Sequence, residues 1–168
     1  MKATVRKGVF ETNSSSTHSI MIQRNYKKTT HDKWTVEEGL AQLEEMGVVI
    51  KPYGYGRSLD LTNLKSGVLE FGRTEEAYNQ WGIKLLYAIV SFRDDPFLWG
   101  GLMTYLKEIG IRNLVMPVSY TDGDIEGEKA GYIDHESDGA LARIFGNGIS
   151  FDGYLRRKDV YLVIDNEG

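Results

Sequence analysis

The chain has no cysteine and only three prolines and three histidines in 168 residues. The missing thiols exclude a disulfide framework, thiolate metal sites and cysteine nucleophiles together, and they fit a reducing compartment. No apolar run approaches the ~18 residues that a membrane helix needs. The opening MKATVRKGVFETNSSS carries early positive charge without the apolar stretch of a secretory signal. These absences predict a cytoplasmic protein with no membrane partner. An excess of basic charge is missing too: Lys+Arg of 20 against Asp+Glu of 24 gives −4. A field of that sign does not coat polyanions, so any nucleic-acid contact must be local.

What is present reads as one α+β domain over residues 1–168, a mixed sheet of about six strands packed by about three helices. Residues 3–10 and 19–24 are β-prone runs around a polar stretch, the pattern of an opening hairpin with a long tip. Thr35 followed by Glu38 is a capping-box signature, and Val36, Leu40, Leu43 and Met46 share a helical face before Gly47, which predicts a helix over 35–46. Strands are expected at 48–51 and 68–71, with PYGYGRS between them as a loop. The spacing of Ala77, Trp81, Leu85, Ala88 and Phe92 predicts a central helix from Thr74 to near Arg93. Asp95 and Pro96 restart a helix that Gly110 closes. Residues 111–118 form a strand ending at Pro117, 119–131 an acidic loop, ALARIF a short helix, and VYLVI a strand suited to a sheet interior.

The residues most suited to chemistry lie in two segments. Residues 11–19 crowd Glu11, Asn13, Ser14, Ser15, Ser16, Thr17, His18 and Ser19 together, enough to furnish a general acid or base, a nucleophile and an anion cradle. The same composition also makes a solvated turn, because Ser, Thr and Asn bond nearby backbone. The second segment sets Asp134, His135, Glu136 and Ser137 side by side; a carboxylate can orient an imidazole, while a plainer role is to cap the following helix. Adjacent strand residues face opposite ways, so only some of the four can share a site. His31, in a charged connection, is read as solvent-exposed.

If His18 and His135 converge, they make an acid and base pair able to cleave a phosphodiester without metal, with Glu11 and the serines Ser14 and Ser16 holding imidazoles or phosphate. Asp134 joins that catalytic set. Zinc or manganese on His18, His135, Asp134 or Glu11 is a weaker reading, since neither HxxxH nor HExxH spacing occurs, and no metal or other cofactor is expected. His135-Glu136-Ser137 has the spacing of two-histidine phosphoesterases, but His18-Ser19-Ile20 lacks the second hydroxyl that those enzymes place there. Binding residues expected around the site are Asn13 and Ser15, with Tyr53, Tyr55 and Arg57 able to stack on bases and meet phosphate. Arg156 and Arg157, with Lys158, are the densest basic run. Rim packing and a solvated turn are the plainer explanations of these last two groups.

The run KGVFETNSSSTHSI resembles the start of a family of small proteins from bacteriophages and other mobile elements of Gram-positive bacteria, and YIDHES is similar to a later segment of theirs. The two segments cover under a fifth of the chain. Phage accessory proteins of this size include inhibitors of host defence, and some anti-CRISPR proteins truncate guide RNA. The resemblance therefore implies a counter-defence protein of the host bacterial cytoplasm that processes or captures RNA, with RNA or a ribonucleoprotein such as a CRISPR effector as partner. It marks Glu11, Asn13, Ser14, Ser15, Ser16, His18, Asp134 and His135 as motif positions. Two alternatives stay open: a non-catalytic inhibitor whose acidic residues 122–128 mimic nucleic acid, and a metal-dependent nucleotide hydrolase.

Overall fold

The computed structural model describes residues 5–6, 17–24, 32–65, 67–71, 76–119, 128–129, 132–133 and 150–167. Among them run β1 (Val5–Arg6), β2 (Thr17–Arg24), α1 (Val36–Glu45), β3 (Val49–Tyr53), β4 (Gly56–Asp60), β5 (Glu70–Phe71) and β6 (Glu76–Tyr78). Then follow α2 (Trp81–Phe92), α3 (Pro96–Glu108), β7 (Ile111–Val115), β8 (Val118–Ser119), β9 (Glu128–Lys129), β10 (Tyr132–Ile133), α4 (Phe151–Arg156) and β11 (Val160–Glu167). The class is mixed α+β, but the strands divide into a four-stranded sheet β1-β2-β11-β6, a three-stranded sheet β3-β4-β7 and two pairs, β10-β5 and β8-β9. One six-stranded sheet is not what these residues form.

Helix ends follow local chemistry. Thr35 and Glu38 close the expected capping box, with both reciprocal bonds at 3.0 Å. At the other end Gly47 takes φ +100, and Gly47 and Val48 donate to the carbonyls of Glu44 and Leu43. This Schellman closure needs a residue that tolerates a left-handed backbone. Asp95 caps α3 by accepting from Phe97 and Leu98 at 3.0 and 3.1 Å, with Pro96 in the first turn.

α2 is the hub. Only Ile83 and Ser91 of its residues escape full burial, and α1, α3 and α4 all pack against it. Its N-terminal turn is capped from a neighbour: Gln42 of α1 accepts from the Gly82 N–H at 2.9 Å. The two helices approach closely at Gly39, where a Cβ would lie 2.5 Å from the Trp81 indole. Trp81 is fully buried, and its Nε1–H has no hydrogen-bond partner among the described residues.

Three sequence expectations are corrected. The helix expected from Thr74 begins only at Trp81, because Glu76–Tyr78 pairs with β11 (Tyr78 opposite Leu162) and Asn79 ties the connection down. The Asn79 carbonyl accepts from Trp34 Nε1 at 2.8 Å and its amide donates to the Lys158 carbonyl at 3.1 Å. Ladder pairing outweighs helical periodicity here. PYGYGRS is mostly strand: β3 and β4 pair from Val49 opposite Asp60 to Tyr53 opposite Gly56, around a tight turn in which Gly54 has φ +56. β7 stops at Val115, and Val118–Ser119 pairs instead with β9. The short helix α4 follows Ser150, which accepts from Gly153 at 3.0 Å; two turns are too few to leave a periodic signal. ALARIF lies outside the described residues.

Two glycine replacements should act in opposite directions. Gly39→Ala should destabilise the fold by about 1–3 kcal/mol, the usual cost of an overpacked contact. Gly100→Ala, in an exposed position of α3 with nothing within 4 Å, should stabilise by up to about 1 kcal/mol through helix propensity. Urea unfolding of both variants measures the two signs.

Candidate functional site

The four-stranded sheet sets the position of the N-terminal motif. β1 and β2 are antiparallel, with Val5 opposite Ile20 and Arg6 opposite Ser19, so residues 7–16 form their connection. β2 in turn pairs along its whole length with β11, in register from Arg24 opposite Val160 to Thr17 opposite Glu167. The start of β2 therefore meets the end of β11, and three polar pairs follow one another: Thr17 with Glu167, His18 with Asn166, Ser19 with Asp165. Arg6 extends the last of these into a row across three strands. His18, expected in the loop, is the second residue of β2.

Glu11, Asn13, Ser14, Ser15 and Ser16 fall in the β1–β2 connection, outside the described residues, as do His31, Asp134 and His135. Asp134 directly follows β10, which runs parallel to β5 with Tyr132 opposite Glu70 and Ile133 opposite Phe71. Sequence reasoning missed Asp165, Asn166 and Glu167. Its strand stopped at Ile164, although the polar start of β2 and the polar end of β11 could have signalled an antiparallel match.

The basic run is engaged within the protein. Arg157 donates through Nε and a terminal nitrogen to both carboxylate oxygens of Asp159, at 2.9 and 2.6 Å. Arg156 donates to the Trp34 carbonyl at 2.9 Å and lies 3.6 Å from Asp152. The Lys158 ammonium stands 4.4 Å from the centre of the Trp34 ring. At the β3–β4 turn Tyr55 is 98% exposed and Tyr53 50% exposed, whereas Arg57 pairs with Glu37 at 2.8 Å. Aromatic stacking groups are thus accessible at this tip, while the arginine assigned to phosphate is held by α1.

Lys84, unremarked in the sequence, is the buried ionisable group beside this junction. Its Nζ donates to the carbonyls of Arg157 and Val160, both at 3.0 Å, and sits 5.7 Å from the Tyr154 ring centre. Tyr154 returns a bond from its hydroxyl to the Lys84 carbonyl at 3.0 Å. Burial lowers the lysine from its ordinary 10.5 to about 7, against the opposing pull of Asp159. A neutral amine still offers two N–H donors for the two carbonyls. With no exposed surface, Lys84 clamps α2 to the α4–β11 junction and meets no substrate.

Among the described residues, no group of three or more His, Asp or Glu is placed to hold a metal ion, and no helix is long and apolar enough to cross a membrane. A small groove of about 190 Å³ lies beside Thr62, Lys65, Val68, Glu70 and Pro117. No protein-family model, curated protein or solved structure matches the chain.

The lysine clamp makes a signed prediction. Its folded value of about 7 lies below the unfolded 10.5, so between these pH values the unfolded chain binds more protons and stability rises with pH. Above pH ~10 the trend reverses, because burial raises Tyr154 and Tyr105 and unfolding then releases protons. Urea unfolding from pH 7 to 10 should show wild type gaining stability relative to Lys84→Met, which removes the ionisable group at similar volume. Parallel profiles for the two proteins would contradict the buried-amine account.

Proposed function

We propose that the chain is a counter-defence protein of phage type that captures and cleaves RNA without a metal, at a His/Glu/Ser site centred on the β1–β2 connection. The observation that carries this reading is the register that sets His18 opposite Asn166 and Ser19 opposite Asp165 at the start of β2, directly after residues 11–16 in the sequence. In that register His18 pairs with an amide residue and, one position on, Ser19 pairs with a carboxylate residue, residue types that general acid and base catalysis draws on. The resemblance of residues 7–20 to phage proteins supports the same segment.

In the proposed reaction one histidine, His18 or His135, accepts the proton of a ribose 2′-hydroxyl. The 2′-oxygen attacks phosphorus, and the bond to the 5′-oxygen breaks as the other histidine protonates it. Glu11 and Asp134 orient the imidazoles; Ser14, Ser16, Asn13 and Ser15 hold the phosphate. The two histidines must be in different protonation states at the start, one to accept a proton and the other to donate one.

A second reading has its own observation. Val118 pairs with Lys129 and Ser119 with Glu128, and the acidic residues 122–127 lie between these two strands in the sequence. An acidic segment of that kind suits the basic groove of a nucleic-acid-binding protein, with charge governing encounter and specificity.

Purified protein with labelled guide RNA, with and without EDTA, tests the proposal. Cleavage should survive chelation, fall by at least about 100-fold in His18→Ala and His135→Ala as expected for a lost acid or base, and show a bell-shaped pH dependence. A 2′-deoxy substrate should remain intact. Loss of cleavage in EDTA with recovery on a divalent ion would assign a metal-dependent hydrolase instead. No cleavage, with inhibition of a protein partner that weakens on charge reversal of Asp122, Asp124, Glu126 and Glu128, would assign the inhibitor.

A further inference from the structure

A groove of about 380 Å³ opens between α3 and β7, within the size range of ligand sites. Trp99, Met103 and Leu106 line it from the helix, Ile111 and Leu114 from the strand. Two exposed cations, Lys107 and Arg112, stand at its rim, and neither has an ion-pair partner among the described residues. β7 pairs only with β4 among the described strands, so the groove runs along a sheet edge.

The groove connects with the β3–β4 tip through one glycine. A Cβ on Gly56 would lie 2.9 Å from Arg112 Cγ and Cδ and 2.5 Å from the Gly110 carbonyl oxygen, so the arginine stem crosses the bare backbone of Gly56. Gly56 is the register partner of Tyr53 and follows Tyr55. Tyr53 and Tyr55 thus stand at the tip, Arg112 crosses Gly56 between tip and groove, and Lys107 and Trp99 line the groove itself. Most of the chain's other described basic groups near α4 are engaged internally, as Arg156, Arg157 and Lys158 show.

The geometry points to this path as a binding platform for single-stranded RNA, with bases stacked on the tyrosines and Trp99 and phosphates met by Lys107 and Arg112. The inference rests on the RNA reading above but assigns binding to residues remote in sequence from the histidine motif. Flat apolar faces beside unpaired cations suit any base sequence, since every base offers a π-face and every nucleotide a phosphate. An acidic peptide would use the cations but has no need of three aromatic side chains along them. Gly56 is a positioning residue: it allows the Arg112 stem to lie flat between tip and groove.

Fluorescence anisotropy with a labelled twelve-nucleotide 2′-O-methyl oligouridine, which cannot be cleaved through its 2′-oxygen, separates binding from catalysis. Wild type should bind. Lys107→Glu with Arg112→Glu should weaken binding at least tenfold and flatten the slope of log K against log salt by about 1.4, two phosphate contacts at ~0.7 each. Tyr55→Ala should weaken binding by about tenfold with the slope retained. Both sites are exposed, and unchanged urea midpoints check that the fold is intact. Wild-type binding that neither change weakens would overturn the platform while leaving the RNA reading standing. Absence of wild-type binding even at low salt would overturn both. Tighter binding of a poly-glutamate peptide than of the oligonucleotide, lost in the double variant, would assign the groove to a protein partner and overturn the platform.

Discussion

Everything described in this fold depends on the burial of α2 against a helix that presents bare backbone at the point of closest approach. Gly39 lets the Trp81 ring lie directly on the backbone of α1, and Gln42 of the same helix caps the Gly82 amide. Once α2 is seated there, Lys84 reaches the carbonyls of Arg157 and Val160 and fixes where β11 begins. β11 then serves as the inner strand for both β2 and β6. The placement of His18 is thus a consequence of contacts made at the opposite end of β11.

The clamp is unusual chemistry for a structural task. An unpaired buried ammonium is costly, and the protein meets that cost by two carbonyl acceptors, a nearby aromatic face and a lowered proton affinity. Asp159 is satisfied separately by Arg157, in a two-oxygen pairing that also orients the turn into β11. Lys84 and Asp159 are the buried charged residues among those described, and both serve this one junction.

Local signals in the sequence were legible where the chemistry was local. The Thr35–Glu38 capping box, the Asp95–Pro96 start of α3 and the apolar run of β11 each depend on residues within a few positions, and each forms as expected. The start of α2 was not legible, because the fate of Glu76–Tyr78 is decided by Leu162, more than eighty residues away. The β3–β4 hairpin was hidden by its glycines, which mark a turn and a close approach of Arg112 in the same few positions. At the candidate site, His18 could be singled out by composition, but its neighbours on β11 depend on register, for which the polar end of β11 is only a weak signal. For Arg57, Arg156 and Arg157 too, a basic residue in the sequence does not disclose its contacts with Glu37, Trp34 or Asp159.

The central claim is that the chemistry at the start of β2 uses the substrate's own 2′-oxygen as nucleophile. End-group analysis of the RNA fragments by mass spectrometry tests it most directly, because the terminus records which oxygen attacked. The account predicts a 2′,3′-cyclic phosphate on the upstream fragment and a 5′-hydroxyl on the downstream one; a 3′-hydroxyl with a 5′-phosphate, the mark of attack by water, would contradict it.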